Sequence, residues 1–204
     1  ISATFLLRRF SATVMHLFNL GLPPDLIASD LRIVLTQRLV RTICPLCKQP
    51  YTPEGQELRS IGIEEAQQPT FIGYQGTGCA GCEGTGYRGQ IGLYEIFDPN
   101  ARLREEIAKR PAKHILKQLA VAEGMTTLLA DGIEKIRQGI TTIAEVARVC
   151  CVRCPGCGHA LPETETTCPA CQSRLSETCA ECGAKLDLEW RLCPFCGTRK
   201  ASIL

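Results

Sequence analysis

Twelve of the chain's fourteen cysteines fall into six C-x-x-C pairs, at 44/47, 79/82, 154/157, 168/171, 179/182 and 193/196, and no other feature restricts the fold as tightly. Two thiolates spaced this way grip one tetrahedral ion from a single tight turn, whereas a disulfide closed inside such a pair suits redox exchange better than it staples a fold. The pattern points to reduced thiols holding zinc in a reducing, cytosolic compartment. Cys44, Cys47, Cys79 and Cys82 are expected to form one site, Cys154, Cys157, Cys168 and Cys171 a second, and Cys179, Cys182, Cys193 and Cys196 a third. Four cysteines leave no coordination position for water, so all three ions are expected to be structural. Cys150 and Cys151 are left over. Cys151 also stands in a C-x-x-C with Cys154, but spare thiols at a domain junction are the simpler reading.

Residues 154–171 and 179–196 repeat with an offset of 25, and all four ligand positions match under that one shift. Each copy has ten residues between its inner cysteines, enough for two knuckles around one ion. Glycine follows Cys157, Cys182 and Cys196, where the backbone must turn its amides toward sulfur. So few large apolar side chains cannot form a self-sufficient core, and zinc must supply on the order of 10 kcal/mol per site. From Cys154 to Leu204 there are five Lys/Arg and six Asp/Glu. Two filled sites take this tail to about −5, and three take the whole chain from its formal +2 to about −4. A phosphate-tracking surface is disfavoured, so a protein partner is expected and no nucleic acid, with Trp190 and Phe195 as candidate contacts.

With 45% hydrophobic and 22% charged residues among 204, the chain is expected to be globular. From Asp25 to about Arg41, Leu26, Ile27, Leu31, Val34, Leu35 and Leu39 recur at helical spacing behind Pro23 and Pro24, which predicts one amphipathic helix. The 31 residues between Cys47 and Cys79 are rich in turn formers, and Gly76 to Gly89 holds six glycines in fourteen positions. Gln90 to Phe97 alternates as a strand. Asn100 caps a helix to about Arg110, Pro111 opens another that stops near Gly124, and Thr126 or Thr127 starts a third. Thr142 and Glu145 form a capping box for a fourth. The expected fold class is α+β and multi-domain. Its blocks are 1–41, a tetracysteine subdomain at 42–98, a helical subdomain at 99–149, and two tandem zinc ribbons at 150–204.

Arg8 and Arg9 interrupt the first apolar residues, so no secretory signal is read there, and no run approaches the roughly 20 apolar residues of a membrane span. The chain starts at Ile1 and is expected to begin inside a longer reading frame. His16, His114 and His159 stand apart from any acid or nucleophile and read as packing or surface residues, with His159 at best a substitute ligand. The run G-T-G-C-A-G-C lacks the lysine of a phosphate loop.

The stretches N-L-G-L-P-P-D-L-I-A-S-D-L, T-Q-R-L-V-R, C-P-L-C-K, G-C-A-G-C-E-G-T-G-Y-R-G-Q-I-G-L-Y-E-I-F and G-M-T-T-L-L-A-D-G-I-E-K-I-R-Q-G-I-T-T-I-A-E-V occur in order between residues 11 and 149. In them the chain resembles the C-terminal region of the type II secretion protein E and type IV pilus-assembly ATPase family. The resemblance implies a RecA-like ATPase core upstream, with residues 25–41 as the helix leaving it. It implies that Cys44, Cys47, Cys79 and Cys82 are zinc ligands. It implies a homo-hexamer, formed only with the core, that converts ATP turnover into motion of an inner-membrane platform. The family's Walker A loop, acidic motifs and arginines belong upstream of these residues, and Leu6 falls where its box histidine would be. ATP and magnesium are therefore expected only in the full-length protein, and this chain alone is expected to have no catalytic or nucleotide-binding residue. It should be cytoplasmic, peripheral at the inner membrane through partners and without direct insertion. Residues 154–196 resemble a double zinc ribbon, an added docking module. A stand-alone zinc-binding adaptor derived from such an ATPase is the other reading.

Overall fold

A computed structural model describes residues 10–63, 70–161, 167–168, 170–175, 177–179, 185–186, 192–193 and 198–199. Helix α1, Phe10–Asn19, places Phe10, Val14 and Phe18 one turn apart on a single buried stripe. Helix α2, Pro24–Asp30, opens on proline, whose missing amide costs nothing in a first turn. The helix expected over 25–41 stops there, and residues Val34–Ile43 form strand β1 instead. The helical spacing of the leucines coexists with a second pattern in which Val34, Thr36 and Val40 are buried while Leu35, Gln37, Leu39 and Arg41 are exposed. Its β-branched residues fit a pleated surface, and strand β4, Tyr87–Phe97, supplies the backbone partner.

The remaining elements are strand β2 (Lys48–Tyr51), helix α3 (Gly55–Ser60), strand β3 (Gly73–Gly76), a 3₁₀ turn (Ala80–Cys82) and helices α4 (Ala101–Ala108), α5 (Lys113–Ala122), α6 (Leu128–Arg137) and α7 (Ile143–Cys150). Four two-residue strands follow: β5 (Val152–Arg153), β6 (Ala160–Leu161), β7 (Glu177–Thr178) and β8 (Lys185–Leu186). As expected, Asn100 caps α4, its side chain accepting from the Leu103 amide at 3.0 Å.

Chain contacts divide the protein into two discontinuous units. The first, residues 1–36, 95–127 and 176–204, contains α1, α2, α4 and α5. Phe10, Phe18, Ile27, Leu103, Ile107 and Leu116 share its core, and the rings of Phe10 and Phe97 stack at 4.4 Å. The second, residues 37–94 and 128–175, packs α3, α6 and α7 around Val40, Leu58, Ile61, Leu93, Ile136, Ile143 and Val146.

Within the second unit, Thr142 caps α7 by accepting from the Glu145 amide at 3.2 Å. The Glu145 carboxylate does not complete the expected capping box. It accepts from the Arg41 amide at 2.8 Å, Arg41 Nη2 at 2.9 Å, and Arg148 Nε and Nη2 at 3.1 and 2.9 Å. Two guanidiniums outbid the local amide because charge-assisted hydrogen bonds are the stronger ones. Burial alone would raise this carboxyl, but the hydrogen bonds from Arg148 and Arg41 hold it at about 2. A folded value below the unfolded one stabilises fully above about pH 4.5, and the gain is lost as pH falls toward 2. Glu145→Gln is expected to cost about 3 kcal/mol at neutral pH. Urea melts of both proteins at a series of pH values check this: the gap between them closes in acid, and a gap independent of pH contradicts the ion-pair account.

Candidate metal centres

Strand β1 ends at Ile43, and the chain turns through Cys44 and Cys47 into β2; β3 ends at Gly76, and the chain turns through Cys79 and Cys82 into β4. The antiparallel β2–β3 register sets Lys48 opposite Gly76, and just beyond it the Thr77 amide donates to the Cys47 carbonyl at 3.1 Å. The two knuckles thus meet at the end of one short ladder. Sulfur–sulfur distances are 3.9 Å for Cys44–Cys79, 3.8 Å for Cys47–Cys82 and 3.7 Å for Cys79–Cys82, and all four sulfurs lie within 4.8 Å of one another. A tetrahedron with metal–sulfur bonds of about 2.3 Å has edges of about 3.8 Å, so this clip fits a zinc ion.

Gly86 ties the knuckles together. Its amide donates to Cys82 Sγ at 3.2 Å, and its carbonyl accepts from the Cys44 amide at 2.9 Å. A Cβ on Gly76 would overlap the Gly86 carbonyl, and Gly86 itself has φ of +75°. The glycine-rich run read as turns therefore also permits a close backbone crossing. Burial would raise the Cys82 thiol, yet the amides of Cys79 and Gly86 pull it down to about 6. Cys47 is pushed up to about 11 by burial, which the backbone hydrogen bond from Gly78 only partly offsets.

The second group is Cys154, Cys157, Cys168 and Cys171, with Cys154–Cys171 and Cys157–Cys168 each at 3.6 Å and all four sulfurs again within 4.8 Å. Its halves are copies: the Cys154 amide donates to the His159 carbonyl as the Cys168 amide does to Ser173, both at 2.9 Å. Gly158 takes φ of +73° in one knuckle, but the equivalent position in the other is Gln172 at +59°. A side chain there costs about 1 kcal/mol, so Gln172→Gly is expected to stabilise the zinc-loaded ribbon by roughly that amount in a thermal melt. Unchanged or lower stability contradicts the strain.

The 25-residue repeat persists in the described pairings. Val152 pairs with Leu161 and Glu177 with Leu186; Thr167 bridges Arg174 and Leu192 bridges Arg199. Cys179 and Cys193 are buried beside Leu186, as Cys154 and Cys168 are beside Leu161. Cys182 and Cys196 of the expected third site, with Trp190, Phe195 and Leu6, lie outside the described residues.

Cys150 is buried in the second unit's core, and Cys151 donates to the Ser60 carbonyl at 3.2 Å, so neither belongs to the two clusters. His159 serves its ribbon through its carbonyl, while Nδ1 lies 3.5 Å from Gln56 Nε2. His16 lies in α1 and His114 in α5. Among the described residues no helix is long and apolar enough to cross a membrane.

The fold and its clusters define a modular α+β protein pinned by sets of four thiols. Residues 7–148 match the family described as Type II/IV secretion system protein, and the chain belongs to that family. Residues 154–197 match the double zinc ribbon. Among similar proteins, the type IV pilus assembly ATPase PilB of Myxococcus xanthus is 36% identical over 66% of this chain and 24% of its own length. The PilB of Thermus thermophilus is 38% identical over 65% of this chain and 15% of its own. The type II secretion system ATPase E of Vibrio cholerae is 38% identical over 67% of this chain and 26% of its own. The chain thus spans about a quarter or less of the length of these relatives.

Proposed function

We propose that this chain is the C-terminal portion of a secretion or type IV pilus-assembly motor, carrying three structural zinc ions and a ribbon tail that docks a protein. Residues 1–41 are the edge of the ATPase core, 42–98 the zinc subdomain, 99–149 the helical subdomain and 150–204 the docking tail. The observation that carries the reading is that the family match over residues 7–148 encloses a clip of four sulfurs at tetrahedral spacing. Such a site holds loops and leaves no position for water, so its ion orders the chain without acting on a substrate. ATP and magnesium act in the full-length protein, and this chain alone is inactive. The hexamer likewise needs the core, and the partner is the inner-membrane platform, met from the cytoplasmic side. The acidic balance of the tail favours a protein ligand over nucleic acid.

Translating the DNA upstream of the Ile1 codon in frame, then assaying the product and the 204-residue chain for ATP hydrolysis, tests this. The expected result is a core with a Walker A lysine whose product hydrolyses ATP while the shorter chain does not. A start codon adjoining Ile1 would overturn the motor reading in favour of a stand-alone adaptor.

A further inference from the structure

The two described clusters differ in what solvent reaches. In the clip, Cys44, Cys47 and Cys82 are buried and Cys79 is half-buried; in the first ribbon, Cys154 and Cys168 are buried but Cys157 and Cys171 are exposed. Each exposed cysteine holds its sulfur 3.6 Å from that of a buried one, Cys168 for Cys157 and Cys154 for Cys171. An accessible thiolate next to a resolving cysteine is the arrangement on which two-electron oxidants act.

We propose that the first ribbon is a peroxide-modification site, with Cys157 and Cys171 as the reacting sulfurs, which releases its zinc while the clip keeps its own. This rests on the zinc reading above. The Cys157 thiolate attacks one oxygen of a peroxide; an S–O bond forms, the O–O bond breaks and hydroxide or alkoxide leaves. The Cys168 thiolate then attacks the sulfenic sulfur, an S–S bond forms and a second hydroxide leaves. Two thiolates lose two electrons in total and the peroxide gains them. The ion, left with two of its four thiolates, departs hydrated. Cys171 and Cys154 repeat the step with a second equivalent.

The experiment treats the zinc-loaded, reduced chain with hydrogen peroxide. Released zinc is followed with a chromogenic chelator, and samples are trapped with an alkylating agent for peptide mapping. Trypsin cuts at Arg153 and Arg174, so one peptide carries all four ribbon cysteines. The expected result is disulfide in that peptide, with loss of alkylation at Cys157 and Cys171 at least tenfold faster than at Cys44, Cys47, Cys79 and Cys82. One zinc is released with it. Equal rates in the two clusters, or ribbon cysteines that stay reduced while the clip oxidises, overturn the proposal alone. A starting protein that holds no zinc overturns the zinc reading and this proposal together.

Discussion

A chelator added to the reduced, zinc-loaded chain is expected to unfold residues 152–204 and leave helices α4 to α7 folded. The first ribbon has strands of two residues, and Leu161 is the large aliphatic side chain buried among its cysteines; Leu186 stands in the same place in the second. Hairpins this short are marginal in water, so the ion carries the fold, on the order of 10 kcal/mol per site. Leu103, Ile107 and Leu116 in one unit, and Ile136, Ile143 and Val146 in the other, are buried in apolar cores that include none of the clustered thiols. Circular dichroism should keep its helical signal while amide exchange protection across Val152–Leu161 disappears. Protection there that survives chelation would mean that the ribbon has another source of stability.

Gly86→Ala is expected to damage the clip more than its single methyl group implies. A positive φ costs a side-chain-bearing residue about 1–2 kcal/mol, and the new Cβ would press on the Gly76 backbone carbonyl, which cannot rotate away. Relief of that contact displaces the amide that faces Cys82 Sγ and the carbonyl that holds Cys44, at about 1 kcal/mol for each bond. The sum is about 3–4 kcal/mol, on the order of a hundredfold to a thousandfold in the clip's zinc affinity. Competition with a chelator of known affinity measures it, and Gly84→Ala is the control. Gly84 also has positive φ, but its Cβ would meet nothing within 4 Å, so it should show only the backbone strain. Equal losses in the two variants would remove the close crossing as the cause.

The two described thiol clusters were legible because their information is local: a C-x-x-C pair specifies a knuckle. The helix caps at Asn100 and Thr142 were legible for the same reason, each lying three residues from the amide it satisfies. Strand β1 was not, because its partner β4 lies some 50 residues downstream and leucine spacing alone cannot report that pairing. Glu145 shows the same limit. Read locally it belongs to a capping box, yet Arg41, 104 residues earlier, takes its carboxylate. Gly86 was visible as a turn former but not as the residue joining both knuckles, which depends on where the ladder from Lys48 to Tyr51 ends.

Native mass spectrometry of the freshly prepared, reduced chain tests the central claim most directly. Three zinc ions per chain are predicted, each removable by acid or chelator and restored by zinc alone. A chain without metal, its cysteines joined in intramolecular disulfides, would contradict the account.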